Sequence, residues 1–298
     1  MIATNKHAGE FLPPSELILN DDGSVYHLKL KPDQIADKII VVGDQHRVKL
    51  ISSFFDKIDC EVQNREFCTH TGRYNNSRIT VISSGIGTDN IDITLNELDA
   101  LVNIDLDKRT IKSELTSLDI VRIGTCGGLQ PEVEPGDFVL SEYGFGLDGM
   151  LNYYDASFSN EEIELNNSLK NHLNLNEFGI QPYIAKASNK LTRILSEGMH
   201  KGITITANGF YAPQGRSMRL GLALPGFNDL LETYKYNDLK VLNYEMETSA
   251  LFGLGGSMGH NCSTVCVAVA NRPTKKALVN YKPKVIELVG IILDRLTN

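Results

Sequence analysis

Short apolar runs alternate along this chain with segments in which apolar residues recur every three or four positions, a pattern that predicts strands alternating with helices. The turn-prone pair Asn75 and Asn76 separates two of these strands and predicts a hairpin. We therefore expect an α/β fold with a central mixed, largely parallel twisted sheet flanked by helices. Strands are predicted at 38–42, 66–74, 78–84, 118–123, 138–140, 203–207 and 264–270, and helices at about 48–55, 91–101, 245–258 and 284–296.

Length and composition predict one domain. The 298 residues, 42% of them hydrophobic and 22% charged, are enough for a large α/β domain with a substantial core. No Pro/Ser/Gly-rich linker and no block of like charges divides the chain. Residues 1–24 are polar and contain Pro13 and Pro14, so we interpret them as an N-terminal arm that precedes a single domain at 25–298.

Composition also argues against several classes of protein. The five cysteines form no CxxC pair and have no histidines at zinc-finger spacing, so we expect neither a disulfide framework nor a structural zinc site. Without a secretory signal or an apolar run long enough to span a bilayer, the chain is expected to be cytoplasmic and to bind no membrane. The net charge of −8 argues against binding to nucleic acid, and an anionic small substrate would need arginines at its own site.

Residues 121–128, Val-Arg-Ile-Gly-Thr-Cys-Gly-Gly, contain the most informative chemistry. Arg122 offers a planar set of donors that matches phosphate, Thr125 offers a hydroxyl, and glycines let backbone N–H groups approach an anion. The segment ends a predicted strand, where open α/β sheets bind ligands. We expect a phosphate site here, although glycines that merely turn the chain after a strand would give the same composition.

A second candidate anion site follows the strand at 38–42. Gly43 ends that strand and Arg47 lies in the next helix, so amides and a guanidinium can reach one anion. An Arg47 exposed to solvent is the alternative. Residues 84–87, Ser-Gly-Ile-Gly, resemble a dinucleotide fingerprint, but Asn90 replaces the third glycine and argues against NAD.

Two further segments contain groups that suit a nucleoside. Phe210, Gln214 and Arg216 combine an aromatic ring, an amide and a guanidinium, which suit an imide edge with carbonyls flanking an N–H. Glu245 and Glu247 cannot share one helical face, and one of them could accept hydrogen bonds from a ribose diol. A surface loop and a pair of acids that stabilise a helix N-terminus are the alternatives.

Taken in order, these segments resemble the nucleoside phosphorylases of the uridine/purine type, and among them the uridine phosphorylases most closely. The resemblance extends from about Tyr26 to the C-terminus. It rests on the motifs Gly-Asp-x-x-Arg, Arg-Glu-Phe, Ser-x-Gly-Ile-Gly, Arg-Ile-Gly-Thr, Phe-x-x-x-Gln-x-Arg and Glu-Met-Glu, which occur in the order of the family. It implies an αβα sandwich fold.

The activity implied by the resemblance is that of a pentosyltransferase. Uridine and phosphate would give uracil and ribose 1-phosphate by reversible phosphorolysis, and acceptance of 2′-deoxyuridine stays open. A purine nucleoside phosphorylase and a nucleosidase that uses water are alternatives within the same class. A non-catalytic nucleoside-binding protein on the same fold is an alternative outside it.

The resemblance also implies a site with three parts, to which a partner subunit contributes Arg65 and His27. The expected catalytic residues are Arg122, Glu247 and Arg216; the phosphate ligands are Gly43, Arg47, Arg65, Arg122 and Thr125; the ribose ligands are His27, Met246 and Glu247; and the base ligands are Phe210, Gln214, Arg216 and Arg272.

The prediction of the base depends on Asn271 and Arg272. Purine-cleaving relatives generally have an aspartate in this region, which protonates the purine ring. Arg272 instead resembles the residue that supports uracil recognition in the uridine enzymes. Uridine is therefore favoured over inosine or adenosine.

The chain departs from the family at Gln45, where proline is usual, and at 88–90, where Thr-Asp-Asn replaces Gly-Pro-Ser. In some relatives that serine and the glutamate of Arg-Glu-Phe help to bind an interfacial potassium ion. Asn90 and Glu66 leave that site open here, and no other metal or cofactor is expected. Because residues 103–118 are longer than in compact bacterial enzymes and the arm is extra, a homo-oligomer of at least two subunits is expected and the family's hexamer stays open.

Overall fold

The computed structural model describes residues 7–298, so the first six residues of the predicted arm lie outside it. The strands are β1 (Lys38–Val42), β2 (Lys57–Asn64), β3 (Phe67–Tyr74), β4 (Ser77–Ser83), β5 (Ile104–Asp105), β6 (Thr110–Ile111), β7 (Asp119–Gly128), β8 (Phe138–Gly146), β9 (Tyr183–Lys186), β10 (His200–Thr206), β11 (Lys235–Tyr236), β12 (Leu239–Glu245), β13 (Asn261–Asn271) and β14 (Lys276–Ala277). The helices are α1 (Gln45–Ser52), α2 (Thr88–Asn103), α3 (Asn160–His172), α4 (Asn189–Leu195), α5 (Phe227–Thr233), α6 (Thr248–Ser257) and α7 (Lys282–Thr297).

A mixed sheet forms the centre of the molecule. Parallel pairing joins β4, β1, β7 and β13, and it also joins β8, β10 and β12. The meander β2–β3–β4 is antiparallel, and Asn75 and Asn76 at its second turn both have positive φ, as the predicted hairpin requires. The predicted α/β class with a mixed sheet is confirmed.

Five of the strands close into a ring that the sequence did not predict. β13 pairs antiparallel with β8, and the end of β7 pairs antiparallel with β12 through Gly127 and Gly128, which closes the order β7–β13–β8–β10–β12. The strand predicted at 118–123 therefore continues to Gly128, and the explanation of these glycines as a turn after the strand is wrong. The helix predicted at 245–258 begins at Thr248, because Glu245 is the last residue of β12.

Helices cover both faces of the sheet. Along β1, Ile39 and Val41 belong to an apolar cluster with α2 and α6, whereas Ile40 and Val42 belong to one with α1, α4 and α7. Since successive strand residues point to opposite faces, this all-apolar strand is buried on both sides. The ends of the central strands of the sheet are consequently held by packing on both faces.

The described part of the N-terminal arm packs on its own subunit. Arg109, in the loop between β5 and β6, accepts a hydrogen bond from Leu12 N (2.8 Å) at its carbonyl, and its guanidinium donates to the carbonyls of Leu12 (3.1 Å) and Leu17. Leu17 is itself buried in the core. The arm and the segment 103–118 therefore pack on one another, while the domain boundary at 24/25 stays a prediction. No helix among residues 7–298 is both long and apolar enough to cross a membrane.

Candidate active site

A cavity of about 390 Å³ lies where β1, β7, β12 and β13 end. Its lining comes from separate parts of the chain and includes most of the predicted site residues. Those that line it are Gly43, Arg47, Arg122, Thr125, Phe210, Gln214, Arg216, Met246 and Glu247, whereas His27, Arg65 and Arg272 do not.

Arg122 forms the buried centre of the cavity wall. It lies on β7 with 5% of its surface exposed, and its Nη1 is 3.2 Å from Glu245 Oε2 while its Nη2 donates to the carboxylate of Glu247. Nη1 also donates to Cys266 Sγ at 3.5 Å. Its Nε has no hydrogen-bond partner among the residues described, so one N–H donor of this cation is unused.

Gly124 makes room for this guanidinium. It lies two positions after Arg122 on β7, so both residues face the same side of the strand. A Cβ at Gly124 would overlap Arg122 Nη1 and would approach Cys266 Sγ to 2.9 Å. A glycine is required here because the arginine side chain lies across the backbone, which sequence inspection could not distinguish from a requirement for backbone freedom.

Glu245 and Glu247 have different roles in the structure. The Glu245 carboxylate accepts hydrogen bonds from Thr206 Oγ1 (2.7 Å) and from the backbone N–H groups of Glu247 (2.9 Å) and Thr248 (3.0 Å), so it caps α6. Glu247 instead accepts from Gly87 N at 2.8 Å and pairs with Arg122. The helix-terminus explanation therefore fits Glu245, whereas Glu247 holds Gly87 and Arg122 at the cavity wall.

Burial controls the electrostatics of this group. Burial of Glu247 raises the pKa of its carboxyl, Arg122 opposes the shift and Glu245 adds to it. Burial disfavours the charged form of Arg122, but Glu247 and Glu245 outweigh it and raise the pKa of the guanidinium. The cation is therefore permanent, and one positive charge is held between two acids away from water.

Gly43 and Arg47 reach the cavity from the other side. Gly43 comes directly after β1 and is closely packed, because a Cβ there would lie 3.2 Å from the Gly85 carbonyl oxygen. Arg47 is half-buried on α1, and its guanidinium makes no hydrogen bond or ion pair with any residue from 7 to 298. Arg47 and Arg122 thus face one shared cavity, and only Arg122 is already paired.

The loop after β10 forms the opposite part of the cavity. Arg216 donates from Nη1 to Gln214 Oε1 (2.7 Å) and to the Phe210 carbonyl, and its guanidinium lies 3.7 Å from the centre of the Phe210 ring. Partial burial and then the charge of Arg272 lower the pKa of Arg216 to about 10, so the side chain remains charged at neutral pH. An amide and a guanidinium are therefore held side by side, as the imide hypothesis requires.

Arg272 and Asn271 lie behind this loop. Arg272 Nη2 donates to the backbone carbonyl of Gln214 at 3.0 Å, so it supports the loop without lining the cavity. Asn271 is buried, donates to the carbonyls of Gln130 (2.8 Å) and Val133 (2.7 Å), and accepts from Thr274 N (2.8 Å). The hydrogen-bonding groups of the Asn271 side chain are therefore occupied by contacts within the structure.

His27 and Arg65 lie together on a different part of the surface. Arg65, at a positive φ in the turn between β2 and β3, places its guanidinium 5.6 Å from the centre of the Tyr26 ring. His27 Nδ1 donates to Glu97 Oε1 at 2.7 Å, and the same carboxylate accepts from the His27 backbone N–H at 2.8 Å. A single subunit therefore keeps both side chains away from its own cavity, which is what a role at a partner's site would require.

Some contacts of the site escaped sequence reasoning. The Gly87 amide, the Thr206 hydroxyl and the Cys266 thiol each bind a charged site residue, but they come from segments distant in sequence. Of these three residues, only Gly87 could have been identified from the sequence, because it belongs to a glycine-rich motif. As for metals, no cluster of His, Cys, Asp and Glu suited to an ion occurs in the described part of the chain, and the question of an interfacial potassium ion at Asn90 and Glu66 stays open.

Comparison with known proteins gives concordant results. The family model described as Phosphorylase superfamily matches residues 37–292. The chain is 29% identical over 269 residues to the uridine phosphorylase of Thermococcus kodakarensis, covering 86% of this chain and 80% of that protein. It is 27% identical over 236 residues to a DeoD-type purine nucleoside phosphorylase of Streptococcus suis, covering 78% and 81%. A solved structure of a Trypanosoma brucei nucleoside phosphorylase, described as showing uridine phosphorylase activity, superposes with a TM-score of 0.87 at 31% identity over 94% of this chain and 99% of that one.

Proposed function

This chain belongs to the phosphorylase superfamily and is a nucleoside phosphorylase, a pentosyltransferase, and we propose that its substrate is uridine, which it converts with phosphate to uracil and ribose 1-phosphate. The observation that carries the choice of base is the contact between Arg216 and Gln214 at 2.7 Å on a loop supported by Arg272. The guanidinium only donates, whereas the amide both donates and accepts, so the pair complements carbonyl oxygens beside an N–H. Uracil presents that edge.

Phosphate would lie at the other end of the cavity. Gly43, Arg47, Arg122 and Thr125 line that end, and the unpaired guanidinium of Arg47 and the guanidinium of Arg122 would supply donors. Because Arg122 is held by two carboxylates before any ligand arrives, it would bind the anion with little reorganisation.

The reaction would need phosphate and the nucleoside to be aligned with each other, and it would need no covalent enzyme intermediate. Phosphate would attack C1′ of the ribose from the face opposite the base while the glycosidic bond lengthens and the sugar gains oxocarbenium character. Glu247 would accept a hydrogen bond from the 2′ hydroxyl, and Met246 would pack against the sugar. As negative charge grows on the carbonyl oxygens of the leaving uracil, Arg216 and Gln214 would bind it more strongly than they bind uridine.

We also propose a homo-oligomer of at least two subunits in which the Arg65 and His27 of one subunit complete the site of the next. The support is that both side chains lie outside the cavity of their own subunit. A complementation experiment tests this proposal. The Arg65→Ala and Arg122→Ala chains should each be nearly inactive. When the two are unfolded and refolded together, half of the dimers should be mixed and each should have one complete site of two, which restores about a quarter of wild-type activity. Recovery of no activity, with mixed dimers present by mass, would contradict shared sites.

A cytoplasmic location and a role in pyrimidine salvage follow as further proposals. Cys60, Cys68, Cys126, Cys262 and Cys266 are all free thiols, which suits a reducing compartment.

The activity test is an incubation of the pure protein with uridine, 2′-deoxyuridine, thymidine, inosine and adenosine, each with and without phosphate. We expect uracil and ribose 1-phosphate from uridine only when phosphate is present. Release of base from inosine but not from uridine would favour the purine alternative, which similarity to the Streptococcus suis enzyme keeps open. Release without phosphate would identify a nucleosidase.

A further inference from the structure

We propose that a second cavity beside the reaction cavity is a cationic vestibule that binds a phosphate dianion before it reaches Arg122. This inference rests on the proposed phosphate-dependent reaction but concerns a different set of side chains. The vestibule has a volume of about 610 Å³ and lies between α1 and the start of α7. Its polar lining consists of Asp44, His46, Arg47, Lys49, Asn280, Tyr281 and Lys282.

The vestibule adjoins the reaction cavity. Asp44 and Arg47 line both cavities, so Arg47 lies at the boundary between them. An anion bound by Lys49 and Lys282 would therefore have Arg47 as its next cationic neighbour. Beyond Arg47, the next cation of the reaction cavity is Arg122.

The vestibule is distinguished by three cations without an acid partner that line one cavity, since single lysines without one, such as Lys29, Lys31 and Lys235, also occur elsewhere in the described chain. Eight lysines elsewhere form ion pairs with acids, namely Lys57, Lys108, Lys186, Lys190, Lys201, Lys240, Lys276 and Lys284. By contrast, Arg47, Lys49 and Lys282 pair with no acid in the part of the chain that the structure describes. The one acid in the lining, Asp44, already accepts a hydrogen bond from His46 N at 2.9 Å.

The vestibule would offset the repulsion between the negatively charged protein and a phosphate dianion. A protein of charge −8 repels a dianion at long range, whereas three fixed positive charges against one negative charge create a local attractive field. A concave wall of low dielectric concentrates such a field and raises the local concentration of the anion. Capture of phosphate should therefore depend on Lys49 and Lys282, although neither lines the reaction cavity.

The test measures steady-state kinetics at low ionic strength for Lys49→Glu, Lys282→Glu and the double variant. Lys235→Glu is the matched control, because Lys235 is exposed on β11 and lines neither cavity. We expect kcat/KM for phosphate to fall about tenfold in the double variant, with little change in KM for uridine, and the deficit to shrink towards 0.5 M NaCl as screening increases. The reverse reaction with ribose 1-phosphate separates the two sources of the dianion: a deficit there as well extends the vestibule to sugar phosphates, whereas its absence restricts the vestibule to free phosphate.

Binding of phosphate without turnover gives an independent result. At low ionic strength, millimolar inorganic phosphate should raise the Tm of the wild type and of Lys235→Glu by more than that of the double variant. An equal rise in all three proteins, or an equal loss of kcat/KM in the control, would overturn the vestibule. Because the Tm measurement contains no nucleoside, it stands even if uridine is not the substrate.

Discussion

The two ends of the reaction cavity are built differently. At the end proposed to bind phosphate and sugar, Arg122 is fixed on a central strand, buried and paired with Glu245 and Glu247. At the end proposed to bind the base, Arg216 lies on an irregular loop and contacts Phe210, whose surface is 52% exposed. The first end has its geometry imposed by the sheet, and the second by a few hydrogen bonds within a loop.

In the proposed mechanism, the strand end would govern the rate of the reaction and the loop would govern the choice of nucleoside. Ends of packed strands hold charged groups precisely, which suits an anion that must be aligned with C1′. Loops tolerate substitution and change their contacts with few consequences for the core. Substitutions at the strand end should therefore lower turnover with any nucleoside, whereas those at the loop should change which nucleoside is bound.

The largest effect is expected for Arg122→Ala. It removes the proposed phosphate donor and leaves two buried carboxylates without a cation, so turnover should fall by a factor of about 10² to 10³ and stability by about 3 to 5 kcal/mol. Turnover and urea unfolding measure the two losses. Arg122→Lys controls for charge: it should recover part of the stability but little turnover, because an ammonium lacks the planar fork. Wild-type turnover in either variant would remove Arg122 from the mechanism.

Gly124→Ala tests the same end without altering a charged residue. The added methyl group would overlap the guanidinium of Arg122, so we expect turnover to fall by about tenfold or more with every nucleoside. Gly290→Ala on α7 is the control, because nothing lies within 4 Å of its added carbon and alanine favours a helix. An active Gly124→Ala enzyme with an unchanged KM for phosphate would show that the arginine position is not critical.

Particular residues show what the sequence could predict and what it could not. Strand β1 and helix α2 were predicted because periodicity depends only on neighbouring residues. The ring closure at Gly127 and Gly128 was not, because pairing between β7 and β12 is decided by distant segments. Helix α3 was missed although Ser159 and Glu162 form a capping box that the sequence displays.

The candidate site was predicted unevenly for a related reason. The residues that line the cavity were found because each belongs to a short motif. The division of roles between Glu245 and Glu247 could not be found, because it depends on where β12 ends and on Thr206 of another strand. The roles of His27 and Arg65 rest on the proposed partner subunit, and the roles of all these residues stay predictions.

At the base end, Arg272→Ala should act more weakly and more selectively. Removal of the donor to the Gln214 carbonyl would loosen the loop, so we expect KM for uridine to rise about tenfold, equivalent to about 1.4 kcal/mol, with KM for phosphate nearly unchanged. Arg272→Lys should recover part of the loss. Equal increases in both KM values would mean that the two ends are not independent.

The smallest expected effect is a shift in pH dependence. Since burial raises the pKa of Glu247 above the usual 4.5, this carboxylate takes up a proton at a higher pH than an ordinary glutamate as the solution is acidified. Its hydrogen bond to the 2′ hydroxyl is then weakened, so kcat/KM for uridine should decline on the acid side from above pH 4.5. 2′-Deoxyuridine lacks that hydroxyl and should lose less. Identical acid limbs for the two substrates would contradict this role of Glu247.

The most direct measurement is a crystal structure of the protein with phosphate and uracil. The proposed mechanism requires one phosphate ion within hydrogen-bond distance of both Arg47 and Arg122, Arg65 of a neighbouring subunit at the same ion, and uracil against Gln214 and Arg216. Phosphate bound by only one of the two cavity arginines, or uracil bound away from the loop after β10, would contradict it.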